Sequence, residues 1–268
     1  MLHKANVVKD LAESAIASAA VLTIAGYDPS SGAGVTADLQ VFAAHGFYGV
    51  SAIAALTVQS TRGVRRVKPV GGRLLQETLD CLGEDVSITG VKIGMLGTAQ
   101  AVGVVAGWLR GAGIPRERVV LDPVTRASSG AELLSAAGVE RVRSELLPVV
   151  GWVTPNISEA GILVGVGVPG RVEVPGVAGK LAELGGLGLN VVVTGGHLDP
   201  PDDFLLTAEG EEIWFEGARV EAESVHGEHG TGCAFSSALL CRVLLGDGAV
   251  EAVAGAKAWV VGRLSLKG

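Results

Sequence analysis

Short apolar runs rich in Val and Ile recur along the chain and alternate with segments of helical periodicity. The runs predict strands at 21–25, 50–58, 91–93, 119–121, 152–154 and 191–194. Runs without polar alternation are typical of parallel strands that are buried on both faces. Apolar residues three or four positions apart predict intervening helices at 35–45, 74–82, 99–109, 133–147 and 177–184. The alternation predicts strand–helix–strand crossover units around a mostly parallel sheet.

The C-terminal part of the chain departs from this alternation. Two short segments at 203–207 and 212–215 flank a Glu209-Gly210 turn, which predicts an antiparallel hairpin attached to the sheet. Helices are expected at 231–245 and 249–264. The sequence thus predicts an α/β fold, a three-layer α/β/α sandwich in which ligands bind at the carboxyl ends of the strands. We expect one domain over residues 21–268, preceded by a helical extension at 1–20.

Composition and charge narrow the class of protein. The chain has 268 residues, 48% of them hydrophobic, which is enough for one large core. Its formal net charge of −7 argues against a general surface for nucleic acid or anionic membrane, because both bind positive patches. The three cysteines lack the spacing of a zinc cluster and the even number of a disulfide framework. We therefore expect a cytoplasmic protein with a small-molecule substrate, and no membrane span.

The first candidate for chemistry is the segment 26–34, GYDPSSGAG, which precedes a predicted helix containing Asp38. Its small residues would let backbone N–H groups approach a ligand at the start of that helix. A tight strand-to-helix turn needs the same residues. A turn and a binding loop are therefore equally good interpretations of this segment.

The second candidate is the segment 229–233, HGTGC, at the start of the predicted helix 231–245. Consecutive N–H donors there predict an anion hole for the phosphoryl group leaving ATP, although a structural Gly-Thr-Gly cap is the alternative. Cys233 would lie in the first helical turn, where the helix dipole is expected to lower the pKa of its thiol, so that it could act as a base. A lone cysteine is more often inert and buried, and Cys81 and Cys241 are interpreted in that way.

Polar residues also follow two central strands. Asn156 and Glu159 lie one helical turn apart after the strand at 152–154. They could hold magnesium-bound waters, but the same spacing forms a common helix cap, which alone is the safer interpretation. Asp122, after the strand at 119–121, adds a carboxylate at the same edge of the sheet.

A further glycine pair follows the strand at 191–194, where Thr194, Gly195 and Gly196 could approach a nucleotide or simply form a turn.

Two familiar phosphate-binding motifs are excluded. The segment 165–170 matches G-x-G-x-x-G but contains proline and does not open a helix, so we interpret it as a loop. No G-x-x-x-x-G-K-[ST] string is present, so the phosphate site is not a P-loop.

Together these segments resemble the hydroxymethylpyrimidine/phosphomethylpyrimidine kinase family of the ribokinase-like superfamily. The family pattern runs AGSDPSGGAG, QADL, QNTRGV, KIGML, LDPV, TPN-x-x-E, KGGH and HGTGC. Here it appears in the same order as AGYDPSSGAG, TADL, QSTRGV, KIGML, LDPV, TPNISE, TGGH and HGTGC. The match extends from about residue 21 to about residue 245.

The resemblance implies a ribokinase-like fold and ATP- and Mg²⁺-dependent phosphorylation of a hydroxymethyl aminopyrimidine and its monophosphate, in thiamine biosynthesis. It also implies a homodimer. The catalytic positions it implies are Gly230, Thr231, Gly232 and Cys233. The substrate positions are Gly26, Ala33, Asp38, Gln59, Met95, Val124 and His229, of which Gln59 matches the residue that reads the pyrimidine. The nucleotide positions are Asn156, Thr194, Gly195 and Gly196, and the magnesium positions are Asp122 and Glu159.

Two departures from the family pattern remove positive charge. Thr194 replaces a lysine, as is often seen in pyridoxal kinases, and Ser128 stands where the family often has another lysine. A pyridoxal kinase is therefore the nearest alternative. A non-catalytic pyrimidine-binding homologue is the other.

Overall fold

The computed structural model of the chain describes residues 19–60, 63–127, 130–196, 198–217 and 230–265. Most of the predicted N-terminal extension lies outside these ranges, and residues 19 and 20 already belong to the first strand. Among the described helices, none is both long and apolar enough to cross a membrane.

In the described residues, nine strands form one sheet in the order β3-β2-β1-β4-β5-β6-β7-β8-β9. The strands are β1 (Ala19–Tyr27), β2 (Tyr48–Ser60), β3 (Gly63–Pro69), β4 (Ser87–Ile93), β5 (Val119–Leu121), β6 (Trp152–Val153), β7 (Asn190–Val193), β8 (Asp203–Leu206) and β9 (Glu212–Phe215). The pairs from β2 through β1 to β7 are parallel. The outer pairs β2–β3, β7–β8 and β8–β9 are antiparallel. The predicted mostly parallel sheet and its antiparallel hairpin are confirmed.

The helices are α1 (Gly34–Ala44), α2 (Gly72–Asp85), α3 (Ala99–Gly111), α4 (Ala136–Arg141), α5 (Ile157–Val164), α6 (Val174–Gly185), α7 (Thr231–Leu244) and α8 (Ala249–Ser265). One predicted helix, at 133–147, is shorter and irregular. It begins at Ala136, and after α4 it continues as a π-turn over Val142–Leu146 and a 3₁₀ turn over Leu147–Val149. Pro148 lies in that last turn and lacks the N–H that a regular helix needs.

Two apolar cores enclose the sheet, because side chains along a strand point alternately to opposite faces. On one face, Leu22 and Ile24 pack with residues of α2 to α6. On the other, Val21 and Val120 pack with α1, α7 and α8. The predicted three-layer sandwich is therefore confirmed.

Strand β3 was not among the predicted strands. It lies at the edge of the sheet and exposes Arg65, Arg66 and Lys68, so it lacks the apolar run by which the inner strands were found. Charged residues on an edge strand discourage pairing with other chains.

Candidate active site

The candidate site lies where the order of strands along the sheet reverses. Strand β1 pairs with β2 on one side and with β4 on the other. Connections from such a strand diverge and open a crevice at its carboxyl end. The segment 26–34 follows β1 at this edge, and Met95 follows β4.

The two glycine-rich segments predicted from the sequence touch in this crevice. A Cβ atom on Gly230 would overlap the carbonyl oxygen of Gly32, and one on Gly34 would overlap that of Gly26. Gly34 and Gly230 also have φ values of 61° and 77°, which glycine adopts at little cost. A Cβ on Gly26 would lie 2.5 Å from the Met95 methyl carbon. The segment 26–34 is thus both a tight turn and the wall of the crevice.

The side chain of Asp28 shapes that turn, a role that was not predicted from the sequence. Its Oδ1 accepts hydrogen bonds from the amide and hydroxyl of Ser30, at 2.8 and 2.7 Å, and its Oδ2 accepts one from the amide of Ala33 at 2.9 Å. An Asp before Pro-Ser is a recognisable signal for such a side-chain-to-backbone turn.

Cys233 lies in the first turn of α7, as predicted, but the predicted direction of its pKa is wrong. The residue as a whole is half-buried, but the desolvation of its thiol raises the pKa to about 12. The charge of Lys92 and a hydrogen bond from the Gly34 amide oppose this rise, while Asp122 and Asp38 add to it. The thiol is therefore neutral at physiological pH.

Asp38 is entirely buried, and the substrate contact that the family pattern implies for it stays a prediction. Its Oδ2 accepts hydrogen bonds from Thr23 at 2.6 Å and from Lys92 at 3.0 Å. Its Oδ1 accepts hydrogen bonds from Ser237 at 2.8 Å and again from Lys92 at 3.0 Å. Asp38 thus lies behind the crevice and supports its wall.

Asp122 follows β5 and faces the same network. Its Oδ2 accepts a hydrogen bond from the Ser236 hydroxyl at 3.2 Å and lies 3.9 Å from the Lys92 Nζ. Burial raises the pKa of this carboxyl and Asp38 raises it further, while Lys92 and hydrogen bonds from Ser236 and Cys233 lower it. Asp122 and Cys233 therefore lie close enough to affect each other's ionisation.

Asn156 and Glu159 form the helix cap that the sequence left open as an alternative. The Asn156 Oδ1 accepts a hydrogen bond from the Glu159 amide at 2.9 Å, and the Glu159 Oε2 accepts one from the Asn156 amide at 3.0 Å. This capping box begins α5. Burial and the charge of Asp122 raise the pKa of Glu159 to about 8.

Glu159, together with Asp122, fits a hydrated magnesium ion. No cluster of three or more His, Cys, Asp or Glu ligands occurs in the part of the chain that the structure describes. Magnesium at a nucleotide site needs only one or two carboxylates, because waters and phosphate oxygens complete its shell. Asp122 and Glu159 are close enough to repel each other, and beside them the buried Thr125 hydroxyl has no partner within the described residues. A cation would relieve this repulsion.

Part of the Thr194–Gly196 turn makes structural contacts and is therefore not available to bind a ligand. Thr194 pairs with Asn156 in an isolated bridge, which brings the two predicted nucleotide positions side by side. The Gly195 amide donates to the Asp203 carboxylate at 2.8 Å, and a Cβ on Gly195 would overlap the Asp202 backbone. Gly195 is therefore not a free donor to nucleotide, whereas Gly196 is exposed with open space around it.

The other predicted substrate positions surround the crevice. Ala33, Met95 and Val124 are half-buried. Gln59 is also half-buried and pairs with Val64, on the part of β2 that extends past the end of β1. His229 and Ser128 lie outside the described residues.

Comparison with known proteins identifies a family. A family model described as phosphomethylpyrimidine kinase matches residues 28–267. A hydroxymethylpyrimidine/phosphomethylpyrimidine kinase from Escherichia coli is 40% identical over 246 residues, which cover 91% of this chain and 90% of that protein.

Solved structures share the fold. The crystal structure of a phosphomethylpyrimidine kinase from Clostridium difficile aligns with a TM-score of 0.79 at 30% identity, covering 92% of this chain and 99% of that one. An ADP complex of pyridoxal kinase from Bacillus subtilis aligns with a TM-score of 0.77 at 27% identity, covering 89% and 88%. The same architecture therefore serves kinases of two different heterocycles.

Proposed function

The chain belongs to the phosphomethylpyrimidine kinase family, and we propose that it phosphorylates 4-amino-5-hydroxymethyl-2-methylpyrimidine and then the monophosphate product. The protein is a ribokinase-like kinase, and its phosphoryl donor is ATP. The reaction belongs to thiamine biosynthesis.

The observation that carries this proposal is the contact between the Gly26–Gly34 loop and the start of α7, with Cys233 and Asp122 beneath it. The positive end of the α7 dipole points into the crevice, and among the described residues none fills the space beside the exposed Gly232. A transferring phosphoryl group in that space would be stabilised by the helix N-terminus. The acceptor hydroxyl would lie between this group and Cys233.

The neutral thiol changes the role proposed for Cys233. With a pKa of about 12, it is not a preformed base at neutral pH. Phosphoryl transfer passes through a loose transition state in most analyses, so orientation and charge stabilisation contribute more than early proton removal. We therefore assign to Cys233 the orientation of the acceptor hydroxyl, with Asp122 accepting the thiol proton in a hydrogen bond.

Magnesium would be held through waters by Asp122 and Glu159, with Asn156 at the same helix start. When bound, the ion would neutralise charge on the ATP phosphates. Gln59 would read the aminopyrimidine through its amide, which both donates and accepts hydrogen bonds.

A coupled assay of ATP consumption tests the proposal, with the aminopyrimidine alcohol, its monophosphate and pyridoxal as separate acceptors. Cys233→Ala, which removes the group that orients the acceptor hydroxyl, is expected to keep ATP binding and lose most turnover, whereas Cys81→Ala, at an exposed position on α2, is the matched control and keeps both. No acceptor-dependent ATP consumption by the wild-type protein would favour a non-catalytic binding homologue instead.

Pyridoxal kinase is the second candidate function, favoured by Thr194 and by the pyridoxal kinase structures that share this fold.

The homodimer and the cytoplasmic location stay predictions from the family resemblance and the composition. Light scattering on the purified protein tests the homodimer.

A further inference from the structure

A buried lysine lies directly beneath the proposed site and has no role in the function described so far. Lys92, on β4, is completely buried. Its Nζ lies 3.0 Å from both oxygens of Asp38 and 3.9 Å from Asp122. A Cβ on Gly94 would lie 2.9 Å from the same Nζ, so the glycine two residues later leaves room for the end of the lysine.

The two carboxylates that surround Lys92 each hold a serine of α7. Ser237 donates to Asp38 at 2.8 Å, and Ser236 donates to Asp122 at 3.2 Å. These serines come three and four residues after Cys233, so all three side chains share one face of the helix. The contacts therefore fix the rotation of α7 about its axis, and with it the direction of Cys233.

Stability alone does not require a buried ion pair of this kind. Replacing such a pair with uncharged residues of similar volume is often neutral or stabilising, whereas removing one partner leaves a costly unpaired charge. The position of this pair, linking α1, β4 and α7 under the crevice, indicates a functional requirement instead.

We propose that Lys92 is a positioning residue for phosphoryl transfer, which sets the start of α7 and Cys233 against the acceptor hydroxyl through Asp38 and Asp122. The proposal rests on the proposed kinase function. Because Lys92 is completely buried, its effect on the reaction is assigned to the two carboxylates that it contacts.

The test compares Lys92→Met with the double variant Lys92→Met/Asp38→Asn, in which the uncharged Asn oxygen accepts one of the two hydroxyl hydrogen bonds and its NH2 donates to the other hydroxyl oxygen. The single variant is expected to lower the melting temperature, because Asp38 loses its partner. The double variant is expected to recover most of that loss while kcat stays about a hundredfold below wild type, with the KM for ATP changed less than about twofold. A double variant with near-wild-type kcat overturns the proposal.

A milder pair of variants keeps the test decisive if the double variant does not fold. Ser237→Ala breaks the link between α7 and Asp38, and Thr89→Val removes a hydroxyl hydrogen bond to the Ala20 carbonyl at the opposite end of the sheet. Similar stability losses are expected, with kcat reduced roughly tenfold only in Ser237→Ala. Equal kcat values in both variants overturn the proposal, whereas a wild-type protein that phosphorylates no acceptor refutes the kinase function itself.

Discussion

Gly230→Ala is the sharpest structural perturbation of the proposed site. Alanine at this position would hold a left-handed backbone conformation, which costs roughly 1–2 kcal/mol. Its Cβ would also overlap the Gly32 carbonyl oxygen, and displacing packed backbone costs roughly 1–3 kcal/mol. Together these give a loss of about 3 kcal/mol, which for a chain of this size lowers the melting temperature by about 6–12 °C.

The assay is thermal unfolding together with ATP turnover, and Gly232→Ala is the matched control for stability alone, because its Cβ would enter the space assigned to the phosphoryl group. Gly232 lies two residues further on, inside α7, and in the described part of the chain no neighbouring atom lies within 4 Å of the position its Cβ would take. The control is expected to unfold at the same or a slightly higher temperature, because alanine favours helix. Gly230→Ala is expected to lose turnover as well as stability. A melting temperature within about 1 °C of wild type for Gly230→Ala would refute the close contact between the two segments.

Two further predictions concern ionisation and capping. Alkylation of Cys233 by iodoacetamide, followed by peptide mass mapping to separate it from Cys81, is expected to rise about tenfold per pH unit from pH 7 to 9.5, because only the thiolate reacts and the thiol pKa is about 12. A plateau within that range would mean that the helix dipole, not burial, controls the thiol. Asn156→Ala is expected to lower stability by about 1 kcal/mol and to raise the magnesium concentration needed for turnover, whereas Ser135→Ala removes the cap of α4 at a similar loss of stability. Equal magnesium requirements in these two variants would limit Asn156 to capping.

The inner strands could be predicted from the sequence because burial on both faces demands continuous apolar runs. Strand β3 could not, since an edge strand carries charges where inner strands carry Val and Ile. The helix at 133–147 was placed too early because apolar spacing does not show that Ser135 caps its start, and too regularly because that spacing does not show the π-turn that precedes Pro148.

The segments of the site were predictable, but their electrostatics were not. A helix N-terminus alone lowers the pKa of a thiol. Desolvation instead controls the pKa of Cys233, and this desolvation arises only when α7 packs on the 26–34 loop. The sequence motif around Asp38 also did not reveal the ion pair between its carboxylate and Lys92. One signal for Lys92 was present: a lysine within an otherwise apolar inner strand is rarely buried without a partner.

The most direct test of the kinase assignment is the ratio of kcat/KM values for the aminopyrimidine alcohol and pyridoxal, measured with ATP and magnesium and with the phosphorylated products identified by mass spectrometry. The aminopyrimidine alcohol is expected to have a kcat/KM at least about tenfold above that of pyridoxal, and its monophosphate is also expected to be converted to the diphosphate. A preference for pyridoxal, or ATP consumption that no acceptor stimulates, would contradict this expectation.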